Sequence, residues 1–241
     1  MSNNGINIPS LDARLLSVAG YIREGACVAD IGTDHAYLPI WLVLTGKAVN
    51  AVASDIGEGP VARAKVSVVR YGVEEKITVI RADGLCGIKD LPVTDIVIAG
   101  MGGELIANII SAAEWVRDPK YRLVLQPMTH PEILRRELLA SGFFIIDETL
   151  TSSTDGQKLY VTVCVEYSGE DMSAEWSDAE LLFGKHNIDR GGKLFDALCQ
   201  KIEKQYEEIK LAKESAGQNA EYENEILDFL NEREQRKESE I

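Results

Sequence analysis

The spacing of hydrophobic positions changes along the chain, and each change marks an element. Over residues 11–22, apolar side chains fall at Leu11, Leu15, Leu16, Val18, Ala19 and Ile22, the three-and-four spacing of one helix face. Short, nearly continuous apolar runs then follow near 26–30, 48–54, 76–81, 94–99 and 122–125, separated by helix-length stretches. Continuous runs suit strands covered on both faces, and strands that alternate with helices build a parallel sheet through right-handed crossovers. The last two runs, 143–148 and 159–165, have only the polar, turn-rich stretch 151–158 between them. Without a crossover helix, these two strands are expected to pair antiparallel. The predicted fold is α/β, a doubly wound sheet with an antiparallel last strand.

Beyond residue 168 the pattern becomes long, charged and helical. Phe195, Leu198, Ile202 and Ile209 form one apolar stripe, and Tyr222, Ile226, Phe229 and Leu230 form a second after a break near Gly217. Two stripes separated by a turn predict an antiparallel coiled-coil hairpin, a small C-terminal α-helical domain over 168–241 following a larger one over 1–167. A substrate-engaging arm and a dimerisation or capping element fit this pattern equally, and the oligomeric state stays open.

The chain of 241 residues is 45% hydrophobic, enough for a full α/β core and one further small unit. Its net charge of −14 argues against a uniformly basic nucleic-acid surface. The charge is uneven, however. From Ser168 onward 19 acidic residues face 10 basic ones, so this third carries −9, and the remainder has room for a local basic patch. Cys27, Cys86, Cys164 and Cys199 show no metal-ligand spacing and read as reduced core residues, with no metal expected. Residues 1–8 lack a basic start followed by a long apolar region, and no apolar run approaches a membrane span. A soluble, cytoplasmic protein is expected.

The candidate chemistry begins at Val28-Ala29-Asp30-Ile31-Gly32-Thr33-Asp34-His35-Ala36-Tyr37. This reads as a buried strand, a glycine turn and a helix, the junction where open α/β sheets hold nucleotide-like ligands. A dinucleotide needs three glycines for backbone to approach its pyrophosphate, and only Gly32 is present. S-adenosylmethionine, an adenosine without phosphate, fits better. Asp30 and Asp34 then face its ammonium and sulfonium side. Asp55, ending the next strand, suits the ribose diol or the cap of the following helix, and Asp83, ending the third, suits the adenine amine. Three successive acidic strand ends, with a closing antiparallel hairpin that NAD-binding domains usually lack, favour a Rossmann-like class I methyltransferase.

The segments A-D-I-G-T-D-H-A-Y-L-P, A-S-D-I, R-A-D-G-L, I-V-I-A-G-M-G-G and L-V-L-Q-P, in that order, resemble the bacterial tRNA (adenine-N1) methyltransferase family that modifies adenosine 22 in the D arm. The likeness runs from about Leu11 to Val165. It implies a Rossmann-like catalytic domain with a C-terminal coiled coil, tRNA as partner, and S-adenosylmethionine held by Asp30, Gly32, Asp34, Asp55 with Ile56, Asp83 with Gly84, and Gly100, Met101 and Gly102. The turn after the fourth strand lacks the Asn/Asp-Pro-Pro-aromatic tetrad of enzymes that methylate exocyclic amines, which points to an endocyclic nitrogen.

Asp34 and His35 are the candidate catalytic residues, although a helix-start histidine is often a structural donor. Tyr37 is a candidate base-stacking residue, or else a core aromatic. Gly103 leaves room for a close approach, Gln126-Pro127 stands where an amide can reach a base, and Arg135 and Arg136 with His130 are candidate phosphate contacts. Small-molecule methylation, and a non-catalytic S-adenosylmethionine- or RNA-binding scaffold, are the rival functions.

Overall fold

The computed structural model describes residues 8–239. Residues 1–7, on which most of the N-terminal reading rests, lie outside the described residues. The chain divides into two compact units between Ser173 and Ala174.

The first unit opens with α1 (Ala13–Tyr21), capped by Asp12, whose carboxylate accepts the Leu15 N–H. There follow β1 (Ala26–Ile31), α2 (Tyr37–Leu44), β2 (Ala48–Asp55), α3 (Glu58–Arg70), β3 (Ile77–Arg81), β4 (Asp95–Gly102), α4 (Gly103–Ser111), β5 (Arg122–Thr129), α5 (Pro131–Ala140), β6 (Phe143–Ser152) and β7 (Leu159–Tyr167). The seven strands form one sheet in the order β3-β2-β1-β4-β5-β7-β6. Strands β1 to β5 are parallel, and β7 runs antiparallel between β5 and β6. The strand order reverses between β1 and β4, which opens a crevice at their carboxyl ends.

Both sheet faces are covered. One face joins Val28, Ala51, Ala53, Val97 and Val124 to Val18 and Ala19 of α1, Leu38 and Leu42 of α2 and Ala64 and Val68 of α3. The alternate positions Ile96, Ile98, Leu123 and Leu125, also fully buried, point the other way. At the amino end of the sheet, buried Asp95 accepts from the backbone N–H of Arg23 at 2.9 Å and from its Nε at 2.8 Å. That pair ties the α1–β1 turn to the start of β4, far from the crevice.

Several strands run further than the apolar pattern predicts. β4 continues through Gly100 by a bulge, so that Met101 pairs with Pro127 and Gly102 with Thr129. The glycine-rich segment expected as a turn is therefore mostly strand, and the helix starts only at Gly103. Past β7, the N–H groups of Ser168 and Gly169 donate to the Gly142 carbonyl and that of Met172 to Leu139. These bonds keep residues 168–173 with the first unit, so the boundary lies beyond the expected 167.

The second unit contains α6 (Asp178–Phe183), α7 (Lys185–Arg190), α8 (Lys193–Ser215) and α9 (Glu221–Ser239). Ser177 and Glu180 form a reciprocal capping box at the start of α6. α8 and α9 pair antiparallel around Gly217 at φ +67°. Lys213 bonds Glu223 near the turn, and Asp196 bonds Arg233 and Lys237 at the open end. Phe183 stacks on Phe229 at 5.4 Å and meets Phe195 edge-on at 5.9 Å. Among the described residues no helix is long and apolar enough to cross a membrane.

Arg135 of α5 is buried, and its Nε donates to buried Glu148 of β6 at 2.6 Å. The expected phosphate contact is thus corrected at this residue: its guanidinium faces an interior carboxylate. Removing one member of such a pair strands the other charge, so Arg135→Ala should destabilise the protein by about 3–5 kcal/mol. The double variant Arg135→Met/Glu148→Leu should recover most of that loss. Chemical denaturation of the three proteins checks both.

Candidate functional site

The crevice is built from the loops that leave β1 to β4. After Ile31 the chain turns at Gly32, φ +79°, and the N–H groups of Gly32 and Thr33 both donate to the Ser54 carbonyl, at 2.8 and 3.0 Å. The Thr33 hydroxyl accepts the Ala36 N–H at 3.1 Å. The N–H groups of Gly32, Thr33 and Ala36 are therefore already engaged within the loop, which favours recognition of a ligand here by side chains. The open side of Gly32 is filled by Met101, whose Cε lies 2.1 Å from where a Cβ would stand. Gly32 and Met101, expected as cofactor residues from separate segments, meet at this point.

Four carboxylates mark the edge. Asp30 is buried, and burial raises its pKa from 3.8 to about 6, opposed by a hydrogen bond from Thr33 and by the charge of Arg14. Asp55 accepts the Gly57 N–H through Oδ1 at 2.7 Å. That bond fixes the carboxylate and leaves Oδ2 for a ligand. The following turn is steadied by Arg81, which donates to the Ile56 carbonyl at 2.9 Å and leaves the Ile56 side chain exposed. Asp83 is exposed two residues past the end of β3, next to Gly84 at φ +52°.

Asp34 is exposed and held by Arg63 of α3, whose Nε donates to Oδ1 at 2.7 Å while Nη2 makes a second bond to the same oxygen. His35 Nε2 lies 3.3 Å from the other Asp34 oxygen, and its ring stacks on Tyr37 at 5.2 Å and 10°. Asp34, His35 and Tyr37 thus form one half-exposed group at the mouth of the crevice.

Two arginines complete the site and carried no signal in the sequence pattern. Arg63 lies on the outer side of α3 and looks solvated until the fold brings it to Asp34. Arg14 sits on α1, and its Nη1 donates to Gln126 Oε1 at 2.9 Å across a separation of 112 residues. The same oxygen accepts the Gly100 N–H at 3.2 Å, and Gln126 Nε2 donates to the Pro127 carbonyl at 2.8 Å.

Three expected substrate contacts are corrected by these bonds. Gln126 is fully buried with its amide committed to Arg14, Gly100 and Pro127, so it braces the site and does not reach a base. Pro127 is buried within β5, paired with Met101. Gly103 has backbone where a substrate was expected: a Cβ there would lie 2.2 Å from the His130 carbonyl oxygen. Its glycine lets α4 pack against the β5–α5 turn. His130 is exposed at φ +52°, with Nδ1 3.0 Å from Glu132, and Arg136 is exposed on α5.

This arrangement has counterparts among known proteins. Residues 11–163 match the family model described as a methyltransferase domain. The tRNA (adenine(22)-N(1))-methyltransferase of Bacillus subtilis (strain 168) is 42% identical over 168 residues, covering 70% of each chain. The crystal structure of the B. subtilis M1A22 tRNA methyltransferase TrmK superimposes with a TM-score of 0.79 at 34% identity, covering 93% of this chain and 95% of that one. A Streptococcus pneumoniae protein, Sp1610, assigned as a tRNA (m1A22) methyltransferase and solved with S-adenosyl-L-methionine, gives 0.79 at 32% identity over 92% and 99% of the two chains. With the methyltransferase model spanning most of the sheet-forming unit and this degree of identity to the Bacillus subtilis protein, the chain belongs to the tRNA (adenine(22)-N(1))-methyltransferase family.

Proposed function

We propose that this chain transfers a methyl group from S-adenosylmethionine to N1 of adenosine 22 in tRNA, in the cytoplasm. The observation that carries this reading is the row of carboxylates at three successive strand ends, beside a glycine turn whose Gly32 and Thr33 N–H groups are taken. Such a donor set suits a phosphate-free ligand with hydroxyls, an amine and positive charge. Asp55 would take the ribose hydroxyls, Asp83 the adenine amine and Asp30 the ammonium, with Gly32, Ile56, Gly84 and Gly100 to Gly102 lining the approach. S-adenosylmethionine supplies an electrophilic methyl group on its sulfonium.

The protein's task on the acceptor is alignment. Adenine N1 carries an in-plane lone pair and is unprotonated at neutral pH, so no side chain has to remove a proton from it. The methylated ring is cationic, and a fixed carboxylate near it lowers the barrier. Asp34 is placed for that role at the mouth of the crevice, with Arg63 holding its orientation. His35 and Tyr37 offer a stacked aromatic surface on which a base can lie.

The helical unit is assigned to tRNA. On α8, at 100° per residue, Lys193, Lys201 and Lys204 fall within an arc of about 80°. All three are exposed, as are Lys185 and Arg190 on α7. The cations can meet a phosphate backbone, with Glu208, one turn beyond Lys204, the one acidic side chain of α8 inside their arc.

The primary test is incubation with labelled S-adenosylmethionine and unmodified tRNA, followed by nucleoside analysis. N1-methyladenosine at position 22 is expected; label in another nucleoside, or none, overturns the reading. Asp55→Ala should weaken S-adenosylmethionine binding more than about tenfold in calorimetry without unfolding the protein, since it removes charge-assisted hydrogen bonds.

The Asp30 pKa gives a pH dependence of known sign. Because the folded value of about 6 lies above the unfolded 3.8, the folded ligand-free protein holds the proton more tightly. Its stability should therefore fall as pH rises from about 4 through 6, by up to about 3 kcal/mol. Cofactor binding should change oppositely, strengthening as Asp30 ionises and levelling off above the folded pKa. Asp30→Asn should flatten both profiles when melting temperature and affinity are measured from pH 4.5 to 8.

For the helical unit, Lys193→Ala/Lys201→Ala/Lys204→Ala should leave cofactor affinity unchanged and weaken tRNA binding. The dependence of log affinity on log salt should become shallower by about 2. An unchanged salt slope would make α8 an oligomerisation or capping element.

A further inference from the structure

A cavity of about 530 Å³ opens beside the end of β3, between the turn that follows Asp83 and the second half of α4. Ile109 and Trp115 give it an apolar wall. Asp83, Lys89, Asp90 and Asn108 supply polar groups around the rim. None of these four side chains makes a hydrogen bond or ion pair within the described residues. The contrast with the bracing residues is clear: Asp95, Gln126 and Glu148 are buried and bonded internally, whereas the groups here face open space and remain available to a ligand. The volume lies within the ordinary range of small-molecule sites.

Asp83 belongs to two places at once. It lies two residues past β3 at the carboxyl edge, where it is assigned to the adenine amine, and it also lines this cavity. A ligand whose amine is held by Asp83 therefore has the cavity next to that nitrogen. We propose that the cavity is an annex to the adenine site, one that admits S-adenosylmethionine-type ligands carrying an aromatic substituent on the adenine amine. The inference rests on the cofactor assignment made above. In a singly substituted amine one N–H remains to donate to Asp83, while the substituent stacks against Trp115 and Ile109. Asn108 and Lys89 would favour substituents that also carry a carbonyl or carboxylate.

The test uses S-adenosylhomocysteine and its N6-benzyl derivative, titrated by calorimetry into the full-length protein and into Ala112→Trp. Ala112 lines the cavity and is exposed at the end of α4, so an indole there fills the annex with little effect on the core. The wild type should bind the benzyl derivative no more than about fivefold more weakly than the parent. Ala112→Trp should keep its affinity for the parent, which also shows that the variant is folded, and should lose more than about tenfold for the derivative.

Binding of the parent but not of the derivative by the wild type overturns the annex while leaving the cofactor assignment intact. Equal affinity of the two proteins for the derivative overturns its location. Failure of both ligands on the wild type overturns the cofactor assignment, and the annex with it.

Discussion

A carboxylate at the end of a central strand, shut away from water, is the constraint around which this site is organised. Asp30 stands at the point where strand order reverses, and burial alone drives its carboxyl toward the neutral form. A hydrogen bond from Thr33 and the charge of Arg14 oppose that drive without cancelling it. Arg14 is kept in place by Gln126, which also holds the Gly100 N–H. Through these few bonds α1, β1, β4 and β5 share one polar network at the crevice. The network leaves a negative charge that is only partly compensated, so a cationic ligand completes what the fold leaves unfinished. Stability given up in the ligand-free state is thereby returned as affinity.

The strands and their acidic ends were legible because each is a local matter. A run such as Ala26 to Ala29 is apolar on both faces, and the carboxylate that follows it, Asp30, falls at the carboxyl edge of the sheet. The braces were not legible, because they join positions far apart. Nothing around Arg14 distinguishes it from any half-exposed helix arginine, and its partner lies 112 residues away. Arg63 is hidden in the same way until α3 packs against the β1–α2 loop. The converse error arose at Gln126, Gly103 and Arg135. Each has chemistry suited to a ligand, yet in each case the chain itself is the partner: Arg14 and Gly100 for the amide, the His130 carbonyl for the glycine, Glu148 for the guanidinium.

The choice of ligand is decided twice, by independent physics. In the sequence, the missing glycines argue that backbone cannot close on a pyrophosphate. In the fold, the N–H groups of Gly32 and Thr33 already donate to Ser54. An arriving phosphate would have to break those bonds in a region of low dielectric, where an unpaired carbonyl is costly. Hydroxyls, amines and cations meet no such obstacle, since the free acceptors at this edge are carboxylates. The same logic explains why Met101 can rest over Gly32: a flexible thioether fills the space without engaging any polar group.

The acidic helical unit is compatible with an RNA partner for a reason that net charge conceals. Charges a Debye length apart, about 8 Å at physiological salt, are largely screened, so an RNA backbone responds to the local surface and not to the total of −14. Within α8 and α9 the cations divide into two groups. Arg233 and Lys237 are bound to Asp196, and Lys213 to Glu223, where they close the antiparallel pair. Lys193, Lys201 and Lys204 lie on the opposite, solvent-facing side of α8. The first group offsets acidic charge at the helix–helix contact, and the second remains free to meet phosphate. Apart from Glu208, the acidic positions of α8 lie outside the arc of these three lysines, so the charge of this unit is unevenly spread around the helix.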